Sequence, residues 1–273
     1  MKTLQQIRRV TIVVTTAGLL MLTAAPIWAD DHDADEIPFD EAEVFFELNN
    51  SDGDLGIHSS IDGGPWKKLS IEDTNERRIL GIRSRGRLRQ QGLTQLFFES
   101  AEPRFAELPL DVFFARFPEG EYEVEGLTLD GQELESTTEL THLMPAQPDA
   151  RINMEPLAIV CDDEDPDYDA PKVVPPITIA WPAVDMSHPT LGSPLSSGDI
   201  VIHNYEVVIE TEFVTADGEE LTIKNSTILP PGVTSYVVPD AYIALSDVWK
   251  YEVLAREESY NQTAVESCFE IAE

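Results

Sequence analysis

Positive charge is what this sequence has least of: 18 lysines and arginines stand against 51 aspartates and glutamates, a net charge of −33 over 273 residues. A surface that negative repels phosphate, which excludes nucleic acid and anionic lipid as partners. Cysteine is nearly absent, with only Cys161 and Cys268. Histidine is sparse, and His32, His58, His142, His188 and His203 are scattered without a metal-ligand or triad signature. Catalysis therefore has little footing, because it needs an acid, a base and a nucleophile that converge. So many carboxylates are present that naming any pair of them as an acid and base would carry no information. Beyond residue 29 no apolar run approaches the roughly 18 residues of a membrane span.

The first 29 residues differ from the rest. Lys2, Arg8 and Arg9 precede an apolar run from Val10 to Ala24, followed by Ala25-Pro26-Ile27-Trp28-Ala29. This is the three-part layout of an export signal, with cleavage expected after Ala29 and Ala24 as the second choice. The competing reading is a retained signal anchor. No cysteine near the cut could accept a lipid, so the mature chain is expected to be free of transmembrane segments and periplasmic or secreted. In such oxidising compartments an even cysteine count allows one disulfide, Cys161 to Cys268, against the alternative of two buried thiols.

Residues 30–42 begin with an acidic run and read as a disordered N-terminus. From Glu43 the pattern is short strands separated by turns, over 44–48, 55–61, 66–71, 79–88 and 93–99, with Asp62-Gly63-Gly64-Pro65 as a turn by composition. Leu110, Phe113, Phe114 and Phe117 fall on one face at helical spacing after Pro109, so one short helix is expected over 108–117. Segments 122–128 and 133–140 flank Asp130-Gly131, a strong hairpin signal. Residues 43–144 then form an N-terminal β domain, and the proline-bearing stretch 145–151 reads as a linker. A second β domain occupies 152–273, its first strand expected over 156–161 and followed by the acidic loop 162–169. The expected class is mainly β, with two β-sandwich-like domains.

In the second domain, Trp181 follows the alternating strand Ile177-Thr178-Ile179-Ala180, Tyr205 lies in the next strand, and Leu245 is followed by Tyr251, Val253 and Ala255. As a set, this resembles a fibronectin type III domain. The resemblance implies two antiparallel sheets and a core holding Trp181, Tyr205, Leu245 and Tyr251. It also implies that Tyr251 forms the tyrosine corner, tying the connection before its strand to the sheet. Cys161 and Cys268 would then lie on first and last strands that can approach each other. Asp247 and Tyr260 depart from the family, which more often carries proline and glycine there. The family fold supports adhesion, spacing and docking, but the integrin-binding Arg-Gly-Asp tripeptide is absent.

Two motifs invite a ligand. Asn50, Asp52 and Asp54 place oxygen donors at alternate positions of one loop, for which calcium is the natural guest; a polar hairpin turn explains the same residues. Calcium is the only cofactor the sequence suggests. Arg83, Arg85, Arg87 and Arg89 repeat with the period of a strand and would share one face, suited to an anionic partner unless neighbouring carboxylates pair with them. The function expected is that of a noncatalytic exported binding or scaffold protein recognising an unidentified protein or glycan. The competing class is an exported carbohydrate-active enzyme or its accessory module.

Overall fold

The computed structural model describes residues 36–272 apart from 163, 192–199 and 216, so the expected export signal and the start of the acidic N-terminus lie outside the described residues. In the first half the chain runs β1 (Glu41–Asn49), β2 (Asp54–Glu72), β3 (Arg78–Arg83), α1 (Gly86–Gln91), β4 (Leu93–Glu99), α2 (Leu110–Phe114), β5 (Gly120–Thr128) and β6 (Glu133–Leu140). The second half adds β7 (Arg151–Ile152), β8 (Lys172–Val173), β9 (Thr178–Ala180), β10 (Ile202–Val214), β11 (Glu220–Leu229), β12 (Ser235–Val237), α3 (Asp240–Ile243), β13 (Val248–Glu257) and β14 (Gln262–Ile271). The protein is mainly β, as its alternating patterns dictate.

Local signals are honoured where the chemistry is local. Asp130-Gly131 turns β5 into β6, with Gly131 at φ 97°, a conformation only glycine adopts without strain. The aromatic helix α2 starts behind Pro109, and the rings of Phe113, Phe114 and Phe117 lie 5.6, 5.5 and 6.3 Å from that of Phe46. Besides this expected helix, the described residues hold two other short ones, α1 and α3.

Asp62-Gly63-Gly64-Pro65 is not a turn between two strands. β2 runs through it as one 19-residue strand with a register irregularity, pairing with β1 before the irregularity, with β3 and β5 after it, and with β4 on both sides. The glycines serve a corner: a Cβ on Gly63 would meet the Phe39 ring at 3.0 Å. The expected strand over 156–161 is likewise absent, and two residues of β7 stand as the first strand of that half instead.

The sheets of the second half are β12-β9-β7 and β11-β10-β13-β14, packed on a shared core that includes Ile179, Tyr205, Trp249, Tyr251 and Phe269. Trp181, Tyr205 and Tyr251 are buried, whereas Leu245 is 52% exposed just after α3. The Tyr251 hydroxyl makes no hydrogen bond to the connection before β13. Trp249 makes that tie, its Nε1 donating to Ser246 O at 2.9 Å. Leu245 therefore leaves the expected core set, and the tyrosine corner is replaced by a tryptophan tie.

The larger sheet does not stop at β14. β1 pairs with it in parallel, Glu47 opposite Gln262 and Asn49 opposite Ala264, so the order β11-β10-β13-β14-β1-β2 carries one sheet through both halves. β14, the last strand and the one that holds Cys268, is thus an interior strand of the sheet. The register puts Val44, Phe46 and Leu48 of the first core on the same side as Val265 and Phe269 of the second. Both apolar cores lie under one face of the shared sheet. Asn261, fully buried at the turn into β14, fastens the junction by accepting from Phe46 N at 2.8 Å and donating to Thr141 O and Leu143 O at 2.9 Å each.

Candidate functional site: the carboxylate face of the shared sheet

Cross-strand partners share a face, so the register also defines the side away from the cores. It carries Glu206 and Glu210 from β10, Glu252 from β13, Glu266 from β14, Glu43 and Glu47 from β1, Asp54 and His58 from β2, and Glu99 from β4. Between the carboxylates of the second half lies a small buried apolar strip, Val208, Leu254 and Ala264. Crowding with few cations has an electrostatic consequence. Burial pushes the carboxyls of Glu43, Glu47, Asp54, Glu252 and Glu266 above their ordinary values.

Glu252 is the extreme case, pushed up to about 8 first by burial and then by the charges of Glu47 and Glu266, with Lys224 opposing. It lines a groove of about 470 Å³ together with Val208, Glu210, Glu266, the Asn50–Asp52 turn and the segment Leu157–Ile159. Because the folded state holds this proton up to about pH 8 while an ordinary glutamate releases it near 4.5, the stability it contributes is full below 4.5 and lost as pH rises to 8. Glu252→Gln should remove that loss, gaining roughly 1–3 kcal/mol at pH 8.5 and almost nothing at pH 4.5. Urea unfolding at the two pH values measures this, and parallel pH profiles for the two proteins would contradict it.

At the first-half end of the face, His58 is buried between two carboxylates. Its Nε2 lies 2.9 Å from Glu102 Oε1 and its Nδ1 3.6 Å from Glu47 Oε2. Gln262 donates to Glu47, and the Phe45 ring lies 5.5 Å from the imidazole, with the Arg256 guanidinium stacked over that phenyl ring 4.8 Å from its centroid. Glu102 reaches the histidine across Gly56, where a Cβ would stand 2.8 Å from Glu102 Cγ and would displace this side-chain position. Glu47, His58 and Glu102 each offer one donor atom, and the three lie within 4.8 Å of one another.

The residues singled out by pattern fare differently. In the Asn50, Asp52 and Asp54 loop, Asn49 Oδ1 accepts from Ser51 N and Asp52 N at 3.0 and 3.2 Å, closing a side-chain turn. The Asn50 amide is engaged by Gln147 and by His188 Nε2 at 3.1 Å. Asp54 lies further along, its Oδ1 buried without a hydrogen-bond partner and its carboxyl pushed up to about 6. The arginine stripe is not formed. β3 ends at Arg83, Arg85 is extended, and Gly86 at φ 56° starts α1, which holds Arg87 and Arg89. Helical residues two apart do not face each other, so the strand period no longer aligns the four side chains. All four are exposed, and among the described residues none of them has an ion pair.

The two cysteines form a disulfide, with Cα atoms 5.7 Å apart, fixing the 157–161 segment to β14. The acidic loop beyond it is folded back by Asp169, whose Oδ1 accepts from Ile159 N and Val160 N at 2.8 Å each. Among the described residues no helix is long and apolar enough to cross a membrane.

Sequence reasoning passed over Glu47, His58 and Glu102. The alternation Phe45, Glu47 and Gly56, His58 contained the signal in part, but Glu102 sits outside any strand and reaches the histidine only through the fold.

No family model and no curated protein matches the chain. Among solved structures, it is similar to a BSP domain of a biofilm-associated protein at 11% identity and a TM-score of 0.23, over 85% of this chain and 29% of that one. It is also similar to a tetra-tandem repeat from the extending region of a large adhesion protein, at 10% identity and a TM-score of 0.23, over 85% of this chain and 49% of that one. A third, from a 1.5-MDa bacterial ice-binding adhesin, has 10% identity and a TM-score of 0.22, over 87% of this chain and 66% of that one. The chain thus spans from under a third to about two thirds of the length of the structures it is similar to.

Proposed function

We propose that this is a noncatalytic recognition protein working outside the cytoplasm, and that it engages a protein or glycan partner through the carboxylate face of the shared sheet. The observation that carries this reading is the continuity of that face across both halves, from Glu206 on β10 to Glu99 on β4. A broad carboxylate surface with few cations favours the lysines and arginines of a protein, or the hydroxyls of a sugar, and repels polyanions. The Cys161–Cys268 bridge supports an oxidising compartment, in keeping with the export signal. The sheet orders β12-β9-β7 and β11-β10-β13-β14 support a fibronectin type III-like module over 152–273.

The partner should be recovered by crosslinking the native exported protein, and its affinity should fall at least tenfold on Glu206→Lys plus Glu266→Lys. Steep weakening with salt would identify a basic protein surface, and salt-independent binding a glycan. Undiminished binding by the double variant would overturn the assignment of the face.

One observation favours the alternative, a carbohydrate-active enzyme or accessory module. Glu252, protonated at neutral pH, stands directly opposite Glu266 across β13 and β14 in the groove, and an acid beside a carboxylate is what glycoside hydrolysis uses. Adjacent positions on one face differ from carboxyls set on two sides of a bond. Hydrolysis of any polysaccharide, abolished by Glu252→Gln, would replace the recognition reading.

A further inference from the structure

We propose that Glu47, His58 and Glu102 bind a divalent transition-metal ion of the zinc class, a site independent of the recognition reading. The arrangement has features that a chance meeting of surface acids lacks. The imidazole at its centre is 3% exposed, and one donor atom of each carboxylate lies within 4.8 Å of a ring nitrogen and of the other. One carboxylate, that of Glu102, lies across Gly56 in space that a Cβ at this position would occupy. The other, Glu47, is held by the Gln262 amide, as outer hydrogen bonds hold the ligands of established metal sites.

Neighbouring Asp54 adds to the negative charge beside this site. Asp54 lies on the same face of β2 as Gly56 and His58, and its Oδ1 is buried with no hydrogen-bond partner. Among the charges acting on it, Glu102 is the largest. A buried, unpartnered carboxylate oxygen next to a second carboxylate is costly unless a proton or a cation sits there. Arg104 and His58 are the positive groups facing this corner; Glu47, Glu99, Glu102, Glu266, Asp52 and Asp54 are the negative ones.

The donors select the metal. Imidazole with carboxylates suits zinc and its neighbours, whose bonds of about 2.0–2.2 Å draw donors together around one point. Calcium takes six to eight oxygen ligands and has little use for an imidazole. A site of this composition therefore prefers Zn²⁺ or Co²⁺ to Ca²⁺.

Titrating the full chain with Co²⁺ should give one saturable visible absorption band, and Zn²⁺ should remove it stoichiometrically. Glu102→Gln, a partly exposed position where folding should be retained, is expected to weaken Zn²⁺ binding by at least about tenfold, and His58→Gln by more. Far-UV circular dichroism of both variants checks that they fold. Millimolar Ca²⁺ should leave the Co²⁺ band in place. A spectrum typical of hexaaqua cobalt only, binding unchanged in the folded Glu102→Gln variant, or displacement by Ca²⁺ would each overturn the proposal.

Discussion

Replacing Asn261 with alanine should lower the unfolding free energy by roughly 3–5 kcal/mol, a large effect for a side chain that carries no charge and lies in no strand. The substitution removes partners from three backbone groups at once, the buried Phe46 N–H and the partly buried Thr141 C=O and Leu143 C=O. Each buried group left unsatisfied costs about 1–3 kcal/mol, and no water-filled space replaces the amide where Asn261 is fully buried. Asn261→Asp is the sharper variant, because it keeps the acceptor for Phe46 but turns the donor into an oxygen aimed at two carbonyls. It should be at least as damaging as alanine. Urea unfolding of the three proteins measures both effects, and a loss under about 1 kcal/mol for the alanine variant would mean that the junction is held elsewhere.

Removing the Cys161–Cys268 bridge, by reduction or by Cys161→Ser with Cys268→Ser, should cost about 2–5 kcal/mol. The bridge spans 107 residues, and closing so long a loop in the unfolded chain removes most of the entropy that a crosslink can remove. The local consequence is separate from the global one. Segment 157–161 has no ladder hydrogen bonds of its own and is held by the bridge, by Ala158 N donating to Ser267 Oγ at 2.8 Å, and by the Asp169 carboxylate. Without the bridge its amides should exchange faster than those of β13 and β14, and the groove it lines beside Glu252 should open. Equal midpoints for oxidised and reduced protein would contradict the stability estimate.

What was legible in the sequence follows the range of the interactions. The Asp130-Gly131 hairpin and the aromatic face of α2 depend on neighbours a few residues away, and both stand where the pattern puts them. The corner in β2 looked like a turn because Gly63-Gly64-Pro65 has the composition of one; what makes it a bend within a strand is Phe39, which packs on Gly63 from a different part of the chain. The arginine alternation failed on a single backbone angle, that of Gly86, which composition leaves free. Leu245 fits a family spacing but is exposed, because Trp249 takes the tie that would have drawn that connection onto the core.

The site was harder still to foresee. The carboxylate face exists because β1 and β14, more than 200 residues apart, pair in parallel, and no local periodicity encodes that partnership. Each contributing strand shows ordinary alternation, and only the register stacks Glu47, Glu252 and Glu266 into one crowded surface. His58 seemed one of several scattered histidines until the fold set Glu47 and Glu102 on either side of it.

The recognition face rests on one sheet running through both halves. Native-state hydrogen exchange at the β1–β14 ladder tests that directly, above all at Asn50, whose amide donates to Ala264 O at 3.0 Å. The Asn50 and Gln262–Ala264 amides should be protected to within about 1–2 kcal/mol of those in the middle of β13, opening with the whole sheet. Exchange at this ladder as fast as in exposed loops, while each half stays protected, would mean two separate sheets and no common face.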